Sequence, residues 1–566
     1  MLEQSIPGWE DLSQSLVTQV QIGYQKLLQQ NPRTKRDWQH WLQEYDLLRK
    51  GVMERKNQLS LNVDCQSNNE VFQKDYFHFI IQEEPQFKKK FNQLDQKFKE
   101  DGGKRALREP FYQRHHQLLD RDLQLFHEVN VGLQKQEQSL ILQYRKIISN
   151  IQINFQGTQY TLMKMKCFYQ SSDRNVREPA WRAEVKGRDE YIDALNQLFV
   201  QLLENRNQQA TNLGFENYQD YSFKKLDRFD YTVGDCLEFH QSIQDVIVPL
   251  VSELYSYRQK KLDLSQLCPW DLEVDVESTQ SLIPFESLDA LLLGVIEICN
   301  RMHPDFGQVL QQIQSKNLLD IEPRPGKSAG GYTYLLPKSG IPFIMMSAMG
   351  RHRDLAILLH EAGHAIHYYL SRNIGLVRYQ VCPLEFSETV AMSMELMSMQ
   401  YWTIFYKDPE DLRRAQIMQL NQGLSLFLWI ATIDAFQHWL YLNLNHSHIE
   451  RENKWQEIFK RFFPFMKMSE FCSQQSWQWQ SQLHLFAFPF YYIEYAIAQL
   501  GAYQAWDHYR KDSDYIKQFN AALQLGHSVT IPELFQNAGL KFDFSSEFMN
   551  SVITKVRNEI EQLTIL

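Results

Sequence analysis

The chain has 566 residues, 43% of them hydrophobic and 22% charged, with a formal net charge of −9. This length can bury a large core and permits several domains. The acidic balance argues against a nucleic-acid partner, and no apolar run approaches the roughly 18 residues a membrane-spanning helix needs.

The start, Met1-Leu2-Glu3-Gln4-Ser5-Ile6-Pro7, has neither a basic n-region nor an apolar h-region, so no secretory signal is expected. Residues 1–150 are dense in Gln, Lys, Glu and Leu, with apolar positions every three or four residues; Leu123, Phe126, Val129, Leu133 and Leu140 continue the pattern. Several long amphipathic helices follow from that spacing, with a break at Asp101-Gly102-Gly103. Lys88-Lys89-Lys90 reads as the solvated face of one of these helices.

Helical signals resume across a second region, 151–320, where Tyr191, Ile192, Leu195, Leu198, Phe199, Leu202 and Leu203 trace one apolar stripe. Gly214 and Pro249 mark turns, and Ala290 to Ile296 is too short an apolar run to be anything but a core helix segment. The seven cysteines (Cys65, Cys167, Cys236, Cys268, Cys299, Cys382, Cys472) show no pairing pattern and form no C-x-x-C, so free thiols in a reducing cytoplasm are expected.

The third region, 321–510, changes character. Pro325 to Leu335 and Ile341 to Ser347 read as two short strands separated by a Pro/Gly/Ser turn. Gly326-Lys327-Ser328 is no nucleotide loop, because position 321 is Ile where a Walker motif requires Gly. An edge strand here could pair with an extended peptide. C-terminal helices occupy 511–566.

Directly after these strands stands His360-Glu361-Ala362-Gly363-His364. Four helical residues advance about 400°, so His360 and His364 project from one face within reach of a single ion. Neutral imidazoles bind zinc at about 2.0–2.1 Å, which this spacing allows without backbone distortion. Glu361 lies about 100° around the helix, where it can face a metal-bound water without ligating the metal. A metzincin would need Gly at 367 and His at 370; the chain has His367 and Leu370. The third ligand is then a downstream acid, and the helix expected after Pro383 offers Glu385, Glu388 and Glu395, with Val390, Met392, Met394 and Leu396 supplying apolar contacts. Glu385 and Glu388 follow His364 by 21 and 24 residues, and spacing leaves both open. At least one of the three acids is expected to face solvent near the helix start.

Other segments fall in a telling order: Asp173-Arg174, Leu213 to Tyr218, Arg228-Phe229-Asp230-Tyr231, Pro269-Trp270-Asp271, Arg324-Pro325-Gly326-Lys327 and Gly330-Gly331-Tyr332. The H-E-A-G-H helix, Glu388 within F-S-E-T-V-A-M-S-M-E, and Ser481 to Gly501 complete the series. In this order they resemble the zinc oligopeptidases of the thimet oligopeptidase and neurolysin group, particularly the oligoendopeptidase F and Pz-peptidase branch. The resemblance runs from about residue 150 onward. It implies that His360, His364 and Glu388 hold one Zn²⁺ per chain, that Glu361 is the general base, and that Glu385 either supports a ligand from behind or is structural. It also implies that His484, Tyr492 and Tyr495 contact the substrate carbonyl and the oxyanion, with Tyr491 replacing Tyr492 if the helix register slips by one.

The expected fold is mainly α, a single large helical body with a deep substrate groove and a small β-sheet next to the zinc helix. The expected function is a cytoplasmic zinc metalloendopeptidase cutting internal bonds of short unfolded oligopeptides, the zinc-bound water being activated by Glu361. A carboxypeptidase of the same architecture and an inactive peptide-binding protein are the alternatives. Ser347 to His352 departs from the family's Asn-Gly-Thr pattern, with Arg351 adding a cation, and Phe488 stands where a more distant branch has tyrosine. Neither change removes a ligand or the base.

Overall fold

A computed structural model describes residues 13–328, 330–466 and 477–565. The features expected at residues 1–7 and at Cys472 lie outside those residues, as does Ala329 within the first expected strand. Helices dominate: Lys35–Cys65 (α1), Glu128–Asn150 (α2), Ile192–Thr211 (α3), Leu288–Met302 (α4), His352–Ser371 (α5), Leu384–Met397 (α6) and Pro409–Leu442 (α7) are among them. Two small sheets accompany them. One pairs Gln152–Phe155 (β1) with Thr158–Thr161 (β2); the other has Phe343–Met346 (β5) between a parallel Leu319–Asp320 (β3) and an antiparallel Gly331–Tyr334 (β4).

The chain folds as two compact units, each assembled from three separate stretches of sequence. The first takes residues 1–126, 283–407 and 504–542; the second takes 127–282, 408–503 and 543–566. In the first, α1 starts where the Thr34 hydroxyl accepts from Asp37 N (3.2 Å) and the Asp37 carboxylate accepts from Thr34 N (2.8 Å), a reciprocal cap. The helix ending at Glu100 is stopped by Gly102 at φ +105°, which is the break read at Asp101-Gly102-Gly103. Leu291, Leu292, Val295 and Ile296 of α4 are buried, as a core segment requires.

The second unit buries the stripe on α3, with Leu195, Leu198, Phe199, Leu202 and Leu203 all under cover. Each such side chain contributes about 1.5–3 kcal/mol. Two sequence expectations change here. Pro249 does not turn the chain: Val233–Ser242 and Val248–Lys261 are α-helical with a π-helical segment, Ile243–Ile247, between them. The wider π turn accommodates a residue that lacks an N–H and crowds the preceding turn. The amphipathic pattern through Leu140 is also interrupted, because one helix ends at Leu125 and α2 begins at Glu128, leaving Val129 exposed.

Among the described residues no helix is long and apolar enough to cross a membrane. The six described cysteines are free thiols.

Candidate metal centre

The site is built in the first unit by α5, α6 and β4. Asp354 caps α5, its carboxylate accepting from Met349 N (2.7 Å) and Arg351 N (2.8 Å). Arg351, the cation that departs from the family pattern, thus stands at the helix start. Pro383 precedes α6 as expected, and Val390, Met392, Met394 and Leu396 are buried. The two helices approach until a Cβ on Gly363 would lie 2.7 Å from Ala391 Cα. Only glycine permits that approach, and it brings α6 acids against α5 histidines.

One ligand atom each from His360, His364 and Glu388 lies within 4.8 Å of the others. Glu388 Oε2 stands 3.3 Å from His360 Nε2 and 3.7 Å from His364 Nε2. Two ligands held at about 2.0–2.1 Å with a tetrahedral angle lie about 3.3–3.5 Å apart, so the spacing suits a small ion at the centre. The outer nitrogens are engaged elsewhere. His360 Nδ1 donates to Glu395 Oε1 at 2.7 Å, and His364 Nδ1 lies 3.2 Å from Ser387 Oγ. This leaves each Nε2 facing Glu388, the arrangement ligating histidines adopt. Two imidazoles and a carboxylate are the donor set of a catalytic zinc with an open fourth position, and the residues fit the ion.

The electrostatics agree. Burial alone would lower the His360 pKa, but hydrogen bonds to Glu388 and Glu395 hold it well above the ordinary value, marking a site that attracts positive charge. Burial brings His364 down to about 4, keeping it neutral. Burial raises Glu361 to about 7, against the opposing pull of His360 and the Thr333 hydrogen bond.

The remaining acids correct one expectation. None of the three faces open solvent: Glu385 and Glu388 are buried, and Glu395 is largely covered against His360. Glu385, the alternative ligand, lies outside the donor cluster and raises the pKa of Cys382 after burial itself. His367, which stands where a metzincin would need Gly, is buried, and burial lowers it to about 3.

The second unit gathers the expected aromatic element. His484 packs against Tyr491, Tyr492 and Tyr495 at ring-centroid distances of 5.5, 4.5 and 5.8 Å. Gln482 Nε2 is 2.5 Å from His484 Nδ1, and the Tyr495 hydroxyl donates to Tyr491 at 3.4 Å. Burial lifts the Tyr492 pKa, which keeps its hydroxyl a donor. The turn carrying these rings includes Phe490 at φ +64°, whose amide donates to Gln437 Oε1 at 2.8 Å. Phe488 is 46% exposed.

Two residues that sequence reasoning did not assign join the candidate site. Glu395 orients His360, and Thr333 on β4 donates to Glu361 Oε2 at 2.7 Å. Glu395 was visible only as one acid among three; Thr333 lay within an expected strand and carried no further signal.

The chain is similar to known peptidases. The "Oligoendopeptidase F homolog" of Borreliella burgdorferi is 22% identical over 391 residues, 64% of this chain and 60% of its own. "Oligopeptidase PepF" of Bacillus subtilis is 22% identical over 221 residues, 36% of this chain and 30% of its own. The chain thus spans less than two thirds of the length of these relatives. A crystal structure provisionally named oligoendopeptidase F matches with a TM-score of 0.90 and 25% identity over 96% of both chains. Pz peptidase A with an inhibitor matches with a TM-score of 0.90 and 24% identity, covering 96% of this chain and 97% of its own, which bears on the fold alone. The profile of peptidase family M3 covers residues 167–553, more than half of the chain, and the chain belongs to that family.

Proposed function

We propose that this protein is a zinc metallo-oligopeptidase that hydrolyses internal bonds of short unfolded peptides, with His360, His364 and Glu388 as the metal ligands. The observation that carries the reading is the donor triangle around Glu388 Oε2, at 3.3 and 3.7 Å from the two Nε2 atoms, with Glu361 next to His360 on the same helix. Family membership and the relatives' names support the reaction class. Zinc bound at such a site polarises a carbonyl and lowers the pKa of water from 15.7 toward about 7.

The chain's own residues supply the rest. Glu361 accepts a proton from the attacking water. It then delivers that proton to the departing amine. His484 with Tyr492 or Tyr495 donates hydrogen bonds to the developing oxyanion; losing one such donor typically costs about 10²–10³ in rate. The oligopeptide is the partner, and the free thiols fit a cytoplasmic setting.

A peptide quenched at both ends and blocked at its C-terminus tests the reaction class. Internal cleavage that requires about one zinc per chain supports the proposal, while cutting only of unblocked C-termini or no cutting at all overturns it. Glu361→Gln should keep its zinc and lose turnover; retained turnover refutes the assigned base.

A further inference from the structure

A general base needs one carboxylate oxygen held and the other presented, and in this protein the holding comes from β4. Residues two apart on a strand share a face, so Gly331 and Thr333 both point at α5. The Thr333 hydroxyl lies 2.7 Å from Glu361 Oε2 and 3.0 Å from the Glu361 carbonyl oxygen. At Gly331 a Cβ would sit 2.8 Å from Glu361 Oε1 and 2.6 Å from Ile357 Cγ2, so the strand passes flush against the other oxygen. The opposite face is anchored by α1. The Tyr334 hydroxyl donates to Asp64 Oδ2, the Ser328 hydroxyl donates to Asp64 Oδ1 at 2.8 Å, and Asn57 Nδ2 donates to the Leu335 carbonyl at 2.7 Å. A strand fixed to α1 is a firm support for a side chain on α5.

We propose that Thr333 is a positioning residue for the peptidase reaction: its hydroxyl pins Glu361 Oε2 and leaves Oε1 to take the proton. This rests on the assignment of Glu361 as base. The hydroxyl touches neither ligand nor substrate in this role and acts only through Glu361. Displacing a catalytic group by about 1 Å can cost about 10²-fold in rate, so one hydrogen bond at this point is worth keeping.

The test compares Thr333→Val, which keeps the shape and removes the hydroxyl, with Thr333→Ser, which keeps the hydroxyl. Each variant is assayed for kcat and KM on the quenched peptide, for zinc per chain and for thermal unfolding. Thr333→Val should lower kcat about 10- to 100-fold with KM within about twofold and full zinc, and Thr333→Ser should recover most of the loss. Thr333→Ala substitutes for the valine variant if the latter unfolds early. The proposal is overturned if Thr333→Val keeps the parent kcat, if Thr333→Ser is equally impaired, or if the loss lies in KM or zinc content. A parent that cleaves, with Glu361→Gln inactive and Thr333→Val unimpaired, sinks this inference alone; a parent that cleaves no peptide sinks it together with the proposed function.

Discussion

Glu395 Oε1 lies 2.7 Å from His360 Nδ1, so an acid seven residues beyond Glu388 on α6 engages the outer nitrogen of a histidine on α5. The His360 ring then offers its other nitrogen toward Glu388. Removing the charge should loosen the ion. Glu395→Gln is expected to weaken zinc affinity about 10- to 100-fold, measured by competition with a chelator, while saturating zinc restores most turnover. An unchanged affinity would mean that the orientation of His360 comes from packing.

Gly331→Ala places a methyl group in the space beside Glu361 Oε1. The nearest atoms belong to the Glu361 and Ile357 side chains, so they shift rather than the backbone. The expected result is a kcat at least about tenfold lower, with zinc content and melting temperature close to the parent. Steady-state kinetics with metal analysis on the same preparation checks this, and an unimpaired variant would show that the strand gives way.

Gly363→Ala attacks the helix contact instead, since its Cβ would stand 2.7 Å from Ala391 Cα, a backbone atom. Overpacking of this kind costs about 1–3 kcal/mol. The wedge should also move Glu388 away from His364, so reduced zinc per chain and a lower urea midpoint are expected together. A stable variant that has lost zinc would separate the two effects; a stable, fully loaded one would contradict the tight approach.

In the second unit, Arg206 Nε donates to Glu137 Oε1 at 2.7 Å with both side chains buried. Burial pushes the Glu137 pKa up, but Arg206 and the hydrogen bonds win and hold it at about 2. An unfolded glutamate titrates near 4.3. The folded value is depressed, so the stabilisation is fully present above about pH 4.3 and disappears as pH falls toward 2. Urea midpoints followed through that window should drop for the parent and change less for Glu137→Gln. At neutral pH the substitution should cost about 3–5 kcal/mol, because Arg206 is left buried beside a neutral amide.

How much of this could be read from residues alone differs by interaction range. His360 and His364 were readable because four-residue spacing is a local property of one helix. The choice between Glu385 and Glu388 was not, since both lie on the same helix and only its crossing with α5 brings one toward the Nε2 atoms while Glu385 lies near Cys382. Thr333 and Glu395 matter through contacts of 28 and 35 residues' separation, beyond any spacing rule. The β1–β2 hairpin carries a local signal of its own. Gln156 and Gly157 join alternating strands with φ of +52° and +79°, as a two-residue turn with both angles positive requires. The parallel pairing of β3 with β5 had no such cue, because a two-residue strand shows no periodicity.

The division of the chain into interleaved stretches has a consequence for biosynthesis. The unit holding His360 ends its second stretch at Lys407 and resumes at Gln504. At about 5–20 residues per second, a ribosome takes roughly 5–20 s to make the intervening polypeptide. During that interval α5 and α6 have been made and the segment through Phe542 that completes their neighbourhood has not. Final closure around the histidines is therefore a late event in synthesis, and chaperones have a window in which to act.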